Sequence, residues 1–350
     1  MNDVKLSEVD KVKCPSCGAA MTFAPEIGGL KCDHCGREEV EKKVYADERD
    51  FFSAEPDMWE EEACAYKCDS CYAVTVFKKG EIATKCPFCG ASNVLSVDSM
   101  VGVKPNAVIP FALSKEEAKV HYKKWIKKKL YAPRKVKKDF VADNVNGIYV
   151  PCWTYDTNTH STYVGRFGEY YYVTVGSGKN RRTVRRTRWY NVRGDYDEGF
   201  DDIIVQSGSV IPQKQLQSVM PFNTHGAVRY DTKYLSGFTA ERYSIGVRDG
   251  YESAKGYMSG VIRNRITSHY HPDVIDYLNV NTTYSDITFK YVLLPVWRCS
   301  FKYKNRDYGF LVNGETGKTK GKAPVSALKV LMTVLGIAAA VATIALVYLL

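Results

Sequence analysis

The sequence lacks an intact nucleotide-binding loop. Gly317-Lys-Thr resembles the end of a Walker A motif, but Val312 stands where the motif requires its first glycine. The stretch Gly176-Ser-Gly-Lys is followed by Asn180, where the motif requires serine or threonine. No nucleophile motif is present either, and the six histidines are scattered along the chain. We therefore expect a protein that is not an enzyme and has no small-molecule substrate.

No signal peptide is expected, since residues 1–13 are mostly polar and charged and contain no apolar run. The chain contains eleven cysteines, a number that would indicate a disulfide framework in a short secreted protein. Eight of them instead form C-x-x-C pairs, a pattern typical of metal binding in a reducing compartment. We therefore expect the cysteine-rich part to lie in the cytoplasm.

The paired cysteines form two sets: Cys14, Cys17, Cys32 and Cys35, and then Cys68, Cys71, Cys86 and Cys89. Fourteen residues separate the inner cysteines of each set and an offset of 54 relates the two sets, so one unit is duplicated. Each C-x-x-C turn presents two sulfurs, and four thiolates satisfy the tetrahedral preference of zinc. We predict two zinc ribbons, each holding one structural Zn²⁺. His34 and Cys64 are not expected to be ligands.

Positive charge is concentrated in two segments. Residues 115–138 contain eleven Lys/Arg against two Glu, and residues 181–193 contain six Arg and no acid. Residues 1–62, by contrast, contain eight basic and sixteen acidic residues. Because phosphate contacts need clustered basic side chains, the acidic ribbons argue against nucleic acid as a partner.

The first basic segment predicts an amphipathic helix. Ser114-Lys-Glu-Glu is a capping box, and Pro133 is expected to end the helix. Apolar side chains recur at helical spacing, at Ala118, Tyr122, Trp125, Ile126 and Leu130. The helix either packs on the next domain through this stripe or also lies on anionic lipid.

The second basic segment, Arg181–Arg193, alternates with apolar residues and predicts a strand with guanidinium groups on its outer face. It either binds phosphate groups or is a solvated, charged edge strand. The candidate lipid or phosphate contacts of the two segments are Lys123, Lys124, Lys127, Lys128, Arg182, Arg186 and Arg188. A third segment, Glu38–Glu62, is acidic and is either a solvated linker or a docking strip for a partner.

Residues 145–322 are rich in Tyr, Val and Thr and predict an α+β domain with an antiparallel sheet. Predicted strands are Gly147–Asp156, Tyr170–Val175, Thr183–Val192, Asp286–Leu294 and Val296–Lys302, with helices near Gln213–Val219 and Gly246–His269. A repeated P-x-W step is expected to place Trp153 and Trp297 in one core. The pattern gives no role for Cys152 or Cys299.

The chain ends in an apolar segment, since Val330–Leu350 contains no charged residue. As a helix it would extend about 31 Å, enough to cross the hydrocarbon layer of a membrane. Lysines precede it at Lys318, Lys320, Lys322 and Lys329. The positive-inside rule therefore predicts a single C-terminal anchor with the N-terminal body in the cytoplasm.

The expected organisation follows from these segments: ribbon 1 at 1–45, acidic linker at 46–62, ribbon 2 at 63–100, basic helical connector at 101–144, β-rich domain at 145–322 and transmembrane helix at 328–350. The expected function is a membrane-tethered adaptor that recruits cytosolic proteins. A membrane-tethered nucleic-acid-binding protein is the alternative.

Several motifs accompany the paired C-P-x-C-G turns: Val108-Ile-Pro-Phe111, Gly147–Asp156, Tyr234–Phe238 with Ala240–Tyr243, and Leu293–Trp297. In this combination the chain resembles the bacterial membrane-anchored double zinc-ribbon proteins of YdjG type. Such proteins are often labelled TFIIB-type zinc-ribbon or primosomal-helicase-like, although no Walker motif supports a helicase here. The resemblance implies envelope-associated complexes with phage-shock-protein-A-like or SPFH-like partners, and a role in envelope stress.

Overall fold

The computed structural model describes residues 12–40, 42–54, 63–68, 74–78, 94–97, 103–138, 144–304 and 306–349. Within these ranges the chain forms five α-helices: α1 Lys115–Lys127, α2 Arg134–Lys138, α3 Gln213–Val219, α4 Val247–Tyr270 and α5 Ala327–Leu349. The same ranges contain sixteen strands: β1 Val12–Lys13, β2 Ala20–Ala24, β3 Gly29–Cys32, β4 Glu38–Val40, β5 Arg49–Asp50, β6 Ala63–Cys68, β7 Val74–Lys78, β8 Val94–Val97, β9 Ala107–Val108, β10 Asn144–Val175, β11 Arg182–Gln206, β12 Val228–Arg229, β13 Thr239–Ala240, β14 Val274–Tyr303, β15 Arg306–Asn313 and β16 Thr319–Gly321.

The body is built on one large sheet with the main order β11-β10-β14-β15-β16, in which all neighbours are antiparallel. The short strands β5, β9, β12 and β13 extend it, and β9 and β13 pair in parallel with β14 and β10. The structure thus confirms the α+β class and the sheet-rich body. Two smaller sheets, β1-β2-β3-β4 and β7-β6-β8, lie in the N-terminal hundred residues.

The central strands are longer than the sequence pattern predicts, because β10 joins two predicted strands across a polar stretch. Hydroxyl groups in that stretch bond to neighbouring strands: Thr159 donates to the Glu198 carbonyl oxygen at 2.7 Å, and Ser161 bonds to Thr282 at 2.9 Å. These partners come from distant parts of the chain. These hydrogen bonds therefore stabilise as a strand a polar stretch of β10 whose sequence resembles a loop.

Helix α4 covers one face of the three long strands. Its buried side chains include Met258, Ile262 and Ile266. The indole nitrogen of Trp153 donates to the Ile245 carbonyl oxygen at 2.8 Å, just before the helix begins. Trp153 and Trp297 belong to one buried cluster, as the repeated P-x-W step predicts.

Helix α1 begins with the predicted capping box, in which Ser114 and Glu117 bond reciprocally. Its buried Tyr122 stacks on Phe310 with ring centroids 3.9 Å apart. The predicted end at Pro133 is wrong, because α1 ends at Lys127 and a turn separates it from α2. Leu130 therefore lies outside the buried stripe and is 69 % exposed.

Helix α5 is long and apolar enough to span a membrane. None of the side chains in Ala327–Ile344 is buried against the rest of the protein. An exposed apolar surface of this size is typical of a site of membrane or protein contact.

Candidate metal centre

The first cysteine set is brought together by the sheet β1–β4. Strands β2 and β3 pair antiparallel and place a C-x-x-C turn at one end of each strand. The four Sγ atoms lie within 4.8 Å of one another, with Cys14 and Cys35 3.5 Å apart and Cys17 and Cys32 3.6 Å apart. No disulfide joins them. The predicted ligand set of ribbon 1 is thus positioned to hold a metal ion.

The turns themselves favour thiolates. Gly18 and Gly36 have φ values of +72° and +74°, and their amides donate to the carbonyl oxygens of Cys14 and Cys32. These positive angles are readily adopted by glycine, as the C-P-x-C-G pattern predicts. The chain can therefore turn tightly around each pair of sulfurs.

The cysteine pKa values show why four thiolates need a cation. Burial opposes ionisation of Cys14, but backbone hydrogen bonds at Ser16 and Cys17 outweigh it and lower its pKa to about 6. A backbone hydrogen bond at Cys35 likewise lowers the pKa of Cys32. At Cys17 a backbone hydrogen bond favours the thiolate, but burial and the neighbouring sulfurs raise the pKa to about 12. A bound divalent ion would neutralise the crowded charge and favour the thiolate form of its ligands, Cys17 included.

Ribbon 1 is attached to the body along its β2 strand. The Ser236 hydroxyl donates to the Met21 carbonyl oxygen at 2.6 Å, and the Phe23 amide donates to the Ser236 carbonyl oxygen at 3.0 Å. Phe23 also packs edge-on against Tyr234, with ring centroids 5.4 Å apart. The opposite edge strand, β4, and the side chains of Cys17 and Cys35 remain exposed.

The second set is described only in part. Cys68 ends β6 and is buried in a cluster with the body residues Ile148 and Cys152. Cys71, Cys86 and Cys89 lie outside the described residues. The second metal site therefore stays a prediction. His34 is exposed on ribbon 1 and is not among the clustered ligands.

The segment after ribbon 1 packs on the protein's own body. Residues 44–54, here called the strap, pair with β14 through β5. The Val44 carbonyl oxygen accepts from the Arg229 amide of β12, and the Ala46 amide donates to the Ala227 carbonyl oxygen just before β12. Phe51 inserts its ring beside Tyr251, with centroids 4.8 Å apart. This part of the acidic segment is therefore fixed to the body on one side, while Val44, Tyr45 and Phe52 stay exposed on the other.

A charged cluster missed by the sequence analysis lies beneath the strap. The Lys290 ammonium is 3.1 Å from a Glu48 oxygen and 3.0 Å from an Asp202 oxygen. Burial opposes its charge, but these two carboxylates outweigh burial and raise the pKa of Lys290. The one sequence signal is a lysine within the apolar strand Phe289–Leu294. Lys290 provides the cation of this cluster.

A second carboxyl pair completes the cluster. Burial, and then a hydrogen bond to Glu48, raises the pKa of Asp156 to about 7. The same hydrogen bond is the main cause that lowers the pKa of Glu48 to about 2. At a pH below about 7, Asp156 is therefore the protonated member of the pair and donates to Glu48. His225 lies 3.5 Å from Asp201 and 3.6 Å from Asp202 at the edge of the cluster.

The predicted lysine contacts lie on the second half of α1 and directly after it. Lys123, Lys124, Lys127 and Lys128, here called the basic collar, are exposed. The Lys329 ammonium donates to the carbonyl oxygens of Leu130 and Ala132 at 3.2 and 2.6 Å, just after α1. The Ser326 amide donates to the Tyr131 carbonyl oxygen at 2.9 Å. These bonds fix the end of α1 to the start of the apolar helix.

The predicted arginine contacts lie elsewhere. Arg182, Arg186 and Arg188 are exposed on the hairpin that joins β10 to β11, at the other end of β10. Cys152 and Cys299 are buried, and burial raises the pKa of both thiols. Buried thiols of this kind are inert packing groups.

The chain matches no family model and no solved structure. It is similar to the uncharacterized protein YdjG of Bacillus subtilis (strain 168), with 31 % identity over 339 residues. The alignment covers 93 % of each of the two chains. On this similarity along nearly its whole length, the chain belongs to the YdjG family.

Proposed function

We propose that this protein is a membrane-tethered adaptor whose zinc ribbons recruit cytosolic proteins. The observation that carries the proposal is the attachment of Lys329, at the start of the unburied helix α5, to Leu130 and Ala132 in the turn that follows the basic collar. The apolar helix α5 is long enough to cross the membrane. Lysines next to its first turn favour the cytoplasmic side of the membrane. Each exposed lysine near an anionic surface contributes about 1 kcal/mol.

Ribbon 1 is suited to present a surface to a partner. A closed four-thiolate zinc site stabilises a small unit without offering an open catalytic position. The ribbon is held to the body on one side, so little further ordering is required when a partner binds. Its free edge bears Glu38 and Glu39 beside the exposed Val40.

That acidic edge favours a partner with basic side chains around an apolar contact. The second ribbon, if it binds zinc as its spacing predicts, would add a second point of attachment and raise avidity. Phage-shock-protein-A-like or SPFH-like proteins are the candidate partners suggested by the family resemblance, in a response to envelope stress.

The test measures both the protein and its partner in membrane fractions after crosslinking. Removal of Val330–Leu350 should release protein and partner together from the membrane. The variant E38K/E39K should stay on the membrane but lose most of its partner, because the charge of the ribbon edge is reversed. The matched control E116K/E252K reverses two exposed acids on the body and should keep the partner. Full recruitment by E38K/E39K would exclude this edge as the binding surface.

A further inference from the structure

The hairpin between β10 and β11 projects beyond the rest of the sheet. The third strand, β14, begins at Val274, which pairs with Gly168. Beyond this point β10 and β11 pair alone, from Glu169 opposite Arg188 to Val175 opposite Arg182. These seven pairs extend about 20 Å at about 3.3 Å per residue. Residues 169–188 are called the arm below.

The arm is strongly basic. After Glu169 at its base it contains no acid, and its basic residues are Lys179, Arg181, Arg182, Arg185, Arg186 and Arg188, all exposed. Within the described chain, no salt bridge joins them to a carboxylate. With Glu169 counted, the arm therefore presents a net charge of +5 on a narrow projection.

Arginines occupy both faces of the arm. Directly opposed residues of an antiparallel pair share a face, and residues alternate between faces along each strand. Arg182, Arg186 and Arg188 therefore share the face that α4 covers lower down, where Phe167 is buried. Arg185 lies on the opposite face with Tyr172.

Aromatic rings hold these arginines in place. The Arg185 guanidinium lies over the Tyr170 ring at 4.2 Å, and the Arg188 guanidinium lies over the Tyr171 ring at 5.6 Å. A guanidinium that is already stacked loses less conformational entropy when it binds an anion. Its planar N–H groups remain suited to the oxygens of a phosphate.

We propose that the arm inserts into the major groove of double-stranded DNA and contacts the phosphates on both walls. A flat anionic surface, such as a membrane, meets only one face of a hairpin, whereas a groove meets both. The major groove is about 12 Å wide and admits a two-stranded β-ribbon. Since phosphates carry no base information, binding should depend weakly on sequence.

The position of the arm separates it from the basic collar. The arm and the base of α5 lie at opposite ends of β10, whose 32 residues have a contour of roughly 100 Å. The basic collar is thus positioned to contact lipid headgroups, whereas the arm is positioned to contact a polyanion away from the membrane anchor. DNA binding by the arm adds a second ligand to the membrane-tethered protein, and it does not depend on a metal ion in either ribbon.

The test uses the full-length protein in nanodiscs of phosphatidylcholine and a fluorescein-labelled DNA duplex of random sequence. Binding is measured by anisotropy between 50 and 200 mM salt. The variant R182Q/R186Q/R188Q should bind at least about tenfold more weakly at the low-salt end. Its slope of log K against log salt should fall by about 2–3, since each lost phosphate contact removes about 0.9. The single variant R185Q should lower the slope by about 1, because it removes the contact on the other face.

The matched control is K124Q/K127Q/K128Q, which removes the same charge from the basic collar. It should bind DNA like the parent but bind anionic vesicles of phosphatidylglycerol more weakly. Unchanged DNA binding by the arm variant would overturn the proposal, as would an equal loss in the collar control. Loss of vesicle binding alone in the arm variant would assign the arm to lipid instead. Near-ultraviolet circular dichroism like that of the parent checks that each variant is folded.

Discussion

Two sites in the protein bring groups of like charge close together, and single residues determine how that charge is balanced in each. In ribbon 1, backbone hydrogen bonds lower the pKa of Cys14 and Cys32, and the four sulfurs are positioned to hold a metal ion. Beneath the strap, Lys290 and, below a pH of about 7, the proton on Asp156 balance the carboxylates. The cysteine spacing predicts the first site because the ligands repeat in sequence. The second could not be predicted, because Glu48 and Lys290 come from distant segments.

Docking of the strap should depend on pH through Asp156. Its pKa is raised to about 7, so the stabilisation from its proton is present at low pH and is lost as pH rises through about 7. Amide protection factors of residues 44–54, corrected for intrinsic exchange, should therefore fall between pH 5 and 8. The variant D156N should abolish this fall, since the amide cannot ionise.

The exposed residue Asp195 provides the control, and D195N should keep the parent's pH dependence. At lower pH the trend in strap stability reverses. The pKa of Glu48 is lowered to about 2, so the stabilisation from its carboxylate is lost as pH falls towards that value. Protection that is constant from pH 5 to 8 in the parent would contradict this assignment of the proton.

The metal prediction also concerns single residues. The full-length protein should contain two zinc ions per chain, measured by elemental analysis after gel filtration. C14S/C32S should contain one, because two thiolates cannot complete a tetrahedral site. The control H34A should keep both, since His34 is exposed and outside the ligand cluster. An unchanged zinc content in C14S/C32S would mean that the ion is bound elsewhere.

At the scale of secondary structure, elements with local signals are predicted well. The capping box gives the start of α1, and α3 spans the predicted Gln213–Val219. Strands are predicted only as fragments, because the length of β10 depends on partners in β11 and β14. Local sequence patterns do not predict the strap for the same reason, since its pairing partners lie more than a hundred residues away.

Helix α4 should be essential to the stability of the long sheet. Ile262 is fully buried between this helix and the strands. I262A should lower the free energy of unfolding by about 2–5 kcal/mol, through lost apolar burial and the cavity that remains. Y257A, on the exposed side of the same helix, should change it by less than about 0.5 kcal/mol. Urea unfolding in detergent, followed by tryptophan fluorescence, measures both. Equal effects of the two variants would show that α4 is not packed as described.

On the scale of the whole molecule, the sheet sets the distances between charged surfaces. The basic collar lies at the end of β10 near α5, whereas the arm lies at the other end. Composition alone identifies both basic segments but cannot place them at opposite ends. This separation is the reason for proposing a different ligand for each segment.

The proposed adaptor function is tested most directly by locating the partner on the protein. Amine-reactive crosslinking of intact membranes, followed by mass spectrometry, distinguishes exposed lysines on different parts of the chain. We predict partner crosslinks on ribbon 1, at Lys31 and at Lys42 and Lys43 just after β4. Partner crosslinks confined to body lysines such as Lys214 and Lys304, with none on the ribbon, would contradict it.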